Sequence, residues 1–189
     1  TSSSATWQVE PSMAAARGDH GAWTAADGTV YVFGGFSDVN WWSAPLSSVE
    51  AFDGTSWSAK ASLTVARGDK AAAGLNSRLI VIGGETKNAA GNVSIPLTDV
   101  EAYNPATNTW SAQSVATIPS HRFRFAAAKS GQSIYIFGGQ GYLQGGTDAS
   151  SSTTFYPVRN TVEEYTEEPT AAPTEEPTAA PTEVPTAAP

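Results

Sequence analysis

The chain has 189 residues, 40% of them apolar, with six Trp, six Tyr and seven Phe, enough to build a core in one sizeable domain. Only 15% are charged; the net charge of −8 owes much to Glu167, Glu168, Glu175, Glu176 and Glu183, and there is no basic patch for nucleic acid and no basic amphipathic segment for anionic lipid. Cysteine is absent, which excludes disulfides, thiolate metal sites and thiol nucleophiles, and no run approaches the roughly 18 apolar residues of a membrane span.

In chain order, the first signal is Trp7 within 5–10, ten residues before Arg17. Strands are then predicted at about 20–25, 29–33, 48–52 and 56–59. The second of these is Tyr31-Val-Phe-Gly34-Gly35, the third Val49-Glu50-Ala-Phe52, and the fourth begins near Trp57. The same series returns at about 70–74, 78–82, 99–103 and 109–112, with Arg67, Gly83, Gly84, Glu101 and Trp110 in matching places. A third series, at about 123–129, 133–137 and 161–165, carries Arg122, Gly138, Gly139 and Glu163. Arg17 precedes Gly34 by 17 residues, Arg67 precedes Gly83 by 16 and Arg122 precedes Gly138 by 16, so the unit repeats as a structural whole. The turns Asp53-Gly-Thr-Ser and Asn104-Pro-Ala-Thr-Asn-Thr use residues that tolerate tight or left-handed geometry, and each predicts a hairpin.

Four short strands per period of about 50 residues, with aromatic marks and a Gly-Gly signature, are the pattern of a β-propeller blade. From about Trp7 to Tyr165 these residues resemble the kelch-repeat family, with three kelch motifs. The expected fold is all-β: a partial kelch-type propeller of about three four-stranded antiparallel blades over 1–165 (13–59, 63–112 and 118–165), with 5–10 as a stray outer strand. The glycine pairs suit a second strand that runs close to its neighbours, where a side chain would block backbone approach.

Counting strands leaves blade three without its fourth strand and 5–10 without a blade. Three blades do not close a ring, since propellers typically have about 4–8. The chain begins at Thr1 rather than Met, and a fragment of a longer propeller is the expectation. The alternative is a homodimer in which two chains form a six-bladed ring and each Trp7 strand completes the partner's third blade. Residues 166–189 repeat Thr, Glu, Pro and Ala with period eight and contain no aromatic residue, so they are expected to be a disordered stalk, on the order of 75 Å long if polyproline II. Such a stalk, glycosylated or bare, leans toward a cell-surface or extracellular location, although no signal peptide is visible.

Arg17 with Glu50, Arg67 with Glu101 and Arg122 with Glu163 are read as scaffold pairs that orient strands. Arg17-Gly-Asp19 and Arg67-Gly-Asp69 spell an adhesion tripeptide, but each arginine occupies the repeat's own Arg position. His20 and His121 fall in different blades without ligand partners at metal spacing, so no metal or other cofactor is expected. Copper-radical oxidases share a kelch-type propeller, but their cofactor needs a cysteine that is absent here. Asp53-Gly-Thr-Ser-Trp57 resembles the aspartate box of sialidases, yet the repeat's own turn explains it.

The loops between second and third strands, 36–48, 85–99 and 140–161, gather on the face that also carries the connections between blades. They hold Trp41, Trp42, Tyr142, Phe155 and Tyr156, residue types that dominate protein contacts or stack on sugars, and Asn92-Val-Ser94 is an N-glycosylation acceptor sequence. The resemblance implies a non-catalytic binding module for a protein partner, with carbohydrate as a second ligand class. The competing reading is a fragment of a propeller enzyme, such as a sugar-acting oxidase, epimerase or hydrolase, whose catalytic residues lie elsewhere.

Overall fold

A computed structural model of the chain describes residues 5–37, 44–91, 94–111, 116–141 and 157–167. Blade one comprises β1 (Gly21–Thr24), β2 (Val30–Phe33), β3 (Val49–Phe52) and β4 (Trp57–Lys60), antiparallel and in chain order. Blade two is built from β5 (Ala71–Leu75), β6 (Arg78–Ile82), β9 (Val100–Asn104) and β10 (Thr109–Ser111) in the same way. Between β6 and β9 the chain makes a small hairpin of its own, β7 (Glu85–Lys87) with β8 (Ser94–Pro96). Blade three has β11 (Ala126–Ser130), β12 (Ser133–Phe137) and β13 (Val162–Thr166).

Local chemistry accounts for the tight turns. Asn76 and Ser77, at φ 49° and 59°, join β5 to β6 with both central residues left-handed, the geometry whose twist matches a two-residue hairpin. The Asp53 carboxylate accepts the amides of Thr55 and Ser56 at 2.8 Å each and so shapes the turn between β3 and β4. The Asn104 side chain does the same for the Ala106 amide at 3.0 Å.

Each gap between blades is a core. Phe33, Val49, Leu79, Val81 and Tyr103 are buried together between blades one and two, while Ile80, Ile82, Val100, Ile118, Ile134 and Ile136 are buried between two and three. Leu79 and Val81 thus face one neighbour and Ile80 and Ile82 the other, which explains why β6 is apolar at consecutive positions: it lies between two blades.

Three expectations change. Residues 5–10 form no strand, and Trp7 and Val9 are fully exposed because no sheet edge among the described residues lies beside them. β11 begins at Ala126 rather than 123, since Arg124 takes φ 54° and breaks the extended backbone. The third blade also runs past 165: Thr166 pairs with Ser133, and Glu167 accepts from Asn76 at 2.8 Å, from the Tyr165 hydroxyl at 3.0 Å and from Arg78 in an ion pair.

Candidate functional site

Three buried clamps underlie the surface. Arg17 donates to the carbonyls of Gly34 (2.9 Å) and Ser48 (3.1 Å) and to Glu50 (2.5 Å), with none of its side chain exposed. Arg67 repeats this with Gly83 (2.9 Å), Asp99 (3.1 Å) and Glu101 (2.5 Å). Arg122 does so with Gly138 (3.0 Å), Thr161 Oγ1 (2.8 Å) and Glu163. One guanidinium therefore binds the carbonyl where the second strand ends and ties it to the start of the third strand, whose carbonyl also accepts the amide of the first paired glycine. Arg17 and Arg67 are spent in this way, so the guanidiniums of the two Arg-Gly-Asp tripeptides are not presented to a receptor.

The glutamates also tie down the entering chain. Glu50 accepts the amides of Ala14 (2.7 Å) and Ala15 (3.2 Å), and Glu101 those of Thr64 (2.7 Å) and Val65 (3.4 Å). Burial alone would raise the Glu50 carboxyl; the Ala14 amide, the Arg17 guanidinium and the Ala15 amide together hold it below its usual value. In blade three the first of these donor positions is Pro119, which has no N–H. Glu163 instead receives a weak 3.4 Å contact from the Ser120 hydroxyl, and its Oε2 is buried with no hydrogen-bond partner among the described residues.

The glycine pairs are joints to the next blade. Gly35 N donates to Arg67 O at 2.9 Å and Gly84 N to Arg122 O at 2.8 Å. A Cβ on Gly34 would lie 2.5 Å from Arg67 O, and one on Gly83 2.7 Å from Arg122 O, while both glycines have φ near the left-handed region (59° and 53°). The crowding is with the following blade's arginine carbonyl.

Two residues after each arginine, a second row crosses the blades. Asp69 N donates to Asp19 O (3.2 Å) and Arg124 N to Asp69 O (2.8 Å). Asp19, Asp69 and Arg124 have φ of 50°, 52° and 54°, the same left-handed conformation three times without glycine. Arg124 Nε holds Asp69 Oδ2 at 2.9 Å, and burial raises the Asp69 carboxyl despite that partner. Beside this row, Lys70 lies with Nζ 5.4 Å from the Phe33 ring centroid and 3.4 Å from Asp19 O. Burial, with the Arg17 and Arg67 charges, pushes its ammonium down to about 7. Burial and the Lys70 charge likewise lower the His20 imidazole.

The connections between blades and the loops after the glycine pairs share this face. Leu63 N donates to Ser47 O (2.9 Å) and Arg67 N to Leu46 O (3.2 Å); Ile118 N donates to Thr98 O (3.0 Å) and Arg122 N to Leu97 O (3.1 Å). The β7–β8 hairpin rises from it, crossed at its turn end by Lys87 Nζ on Ser94 Oγ (2.7 Å), the same ammonium reaching back to Glu85 (2.8 Å). Trp41, Trp42, Tyr142, Phe155 and Tyr156 lie outside the described residues, as does Asn92. The polar row of Asp19, Asp69, Lys70 and Arg124 was not singled out from sequence as a surface, although the Arg-Gly-Asp repeat was its signal.

Known proteins share this unit. The Kelch motif family model matches residues 23–64 and 66–114. The chain is built of kelch repeats. Kelch-like protein 36 of Rattus norvegicus is 31% identical over 142 residues, 74% of this chain and 22% of the relative. Beta-scruin of Limulus polyphemus is 27% identical over 150 residues, 78% of this chain and 16% of the relative. The solved structure of YjhT superimposes with a TM-score of 0.58 at 22% identity, covering 71% of this chain and 37% of the other, which shows the same fold. The kelch chain thus spans about a fifth of the length of the curated relatives it matches. The third kelch unit falls outside the matched residues, in keeping with Phe123 and Arg124 in place of Gly-Asp and with no tryptophan strand after β13.

Proposed function

We propose that this kelch-repeat chain is a non-catalytic binding module that engages a protein partner through its loop face. One observation carries the reading: the backbone row through Asp19, Asp69 and Arg124 links the entries to three successive blades, on the face that also carries the connections between blades. Protein–protein interaction is the commonest role of kelch repeats, and Trp41, Trp42, Tyr142, Phe155 and Tyr156 all belong to these loops. The Asp69–Arg124 pair supplies charge that sets register more than affinity.

The test is a quantitative pull-down with the intact chain against a Trp41→Ala, Trp42→Ala double variant and an Arg124→Ala variant. The double variant is expected to lose most of the recovered partner, and Arg124→Ala to weaken recovery more at low salt than at high. Equal recovery of every partner by all three chains removes the loop face as the binding surface.

A further inference from the structure

We propose that Lys70 is a modification site, its amine the acceptor of a short acyl group from an activated acyl donor. The position belongs to the joints between blades. His20, Lys70 and Phe125 each stand three residues after the clamp arginine, and their Cβ atoms lie 2.9, 2.8 and 2.7 Å from where a Cβ on the second glycine of their own blade would stand. From there the Lys70 and Phe125 side chains reach back to the first glycine of the preceding blade. Lys70 Nζ comes within 2.9 Å of the Cβ place on Gly34, and the Phe125 ring within 3.2 Å of that on Gly83. The second joint thus fills with a ring, beside Ile82, the slot that the first joint fills with an amine, beside Phe33.

That slot offers little to a positive charge. Lys70 Nζ lies 5.4 Å from the Phe33 ring centroid, and its hydrogen bond to Asp19 O is long, at 3.4 Å. Among the described residues no carboxylate forms an ion pair with it. Of the charged groups around it, Arg17 and Arg67 oppose the ammonium, Asp69 and Asp19 favour it, and the His20 imidazole is itself lowered by it. Burial is the largest of the causes that bring the amine down to about 7, so about half of it is neutral at pH 7. A free lysine, at about 10.4, is neutral there in fewer than about one molecule in a thousand.

The neutral amine is the nucleophile. Its lone pair attacks the acyl carbon of an acyl phosphate or thioester and an N–C bond forms. The bond from that carbon to the phosphate oxygen or thiolate sulfur breaks with its electron pair, and a proton leaves Nζ for water. The slot selects an amide over an imine. An amide is neutral and keeps one N–H for Asp19 O, whereas a neutral imine has no such hydrogen and its protonated form restores the charge. The hydrogen bond to Asp19 O is exposed to solvent, so the tip is open on one side to a small donor. Loss of the ammonium leaves the exposed Asp19 carboxylate less compensated on the face that carries the connections between blades.

The test is acylation of the intact 189-residue chain at pH 7, with acetyl phosphate in one arm and a small acetyl thioester in the other, read by tandem mass spectrometry at Lys60, Lys70 and Lys129. Lys70 is expected to be acetylated about tenfold faster than the exposed Lys129 in at least one arm, which identifies the donor class. Its rate should rise to about pH 7 and then level off, where an exposed amine keeps gaining with pH. In guanidinium chloride the lead should vanish, because it comes from the folded joint. A Lys70 that reacts no faster than Lys129 in both arms, a lead that survives unfolding, or a rate that climbs with pH in parallel with Lys129 overturns the proposal.

Discussion

Blade two and blade three carry the same Arg, Gly-Gly and Glu in the same order, yet one is sealed on both sides and the other on one. In blade two, Arg67 and Glu101 are fully buried, two amides complete the carboxylate, and Trp110 covers the outer edge. In blade three, Pro119 withdraws an amide from Glu163, whose side chain is 20% exposed, and β13 has no outer strand among the described residues. A repeat motif thus supplies the contacts within a blade, while the stability of that blade depends on its neighbours.

The largest effect that could break this comparison comes from the clamps. Arg67→Ala strands Glu101 in a dry site and is expected to cost about 3–5 kcal/mol in urea denaturation. Arg122→Ala should cost clearly less, because Glu163 can be rehydrated; equal losses would show that the third clamp is as sealed as the second.

A smaller contrast lies in the joints. Gly83→Ala adds a clash with Arg122 O to the strain of a left-handed alanine, whereas a Cβ on Gly138 has its nearest neighbour, Arg159 O, at 3.3 Å. Gly138→Ala should therefore cost only the strain, about 1–2 kcal/mol, and Gly83→Ala more. Thermal melts of the two variants measure the difference.

The smallest effect concerns the blade one to two joint. Lys70 titrates near 7 in the folded chain and near its ordinary value when unfolded, so between those values the unfolded chain binds more protons and stability rises with pH. Lys70→Met removes a group that opposes folding when charged. Its gain in melting temperature should be greatest at and below pH 7 and shrink toward pH 10; a pH-independent gain would assign the effect to packing alone.

The blades were legible because Arg, Gly-Gly, Val-Glu and Trp each do one physical job at one place, and these jobs recur. Strand ends were correct to within a few residues for the same reason. The β7–β8 hairpin was not legible: Glu85-Thr-Lys and Ser94-Ile-Pro are too short to show alternation, and their pairing is crossed by the Lys87–Ser94 contact. The row through Asp19, Asp69 and Arg124 was half visible, as a tripeptide whose meaning is the left-handed turn at Asp19 and Asp69. Trp7 looked like a strand because its spacing copies Trp57, but spacing marks a strand's destination and cannot provide the edge it needs. The aromatic loop residues were chosen by composition, and no periodic constraint bears on them.

The ion pair at Glu167 joins the last strand to the turn of a different blade, through Arg78 and Asn76. Mechanically, it is a tether with two anchor points. Tension applied to the residues beyond Glu167 would be shared between the edge of blade three and the β5–β6 turn, and the edge would begin to peel only after the Arg78 contact yields.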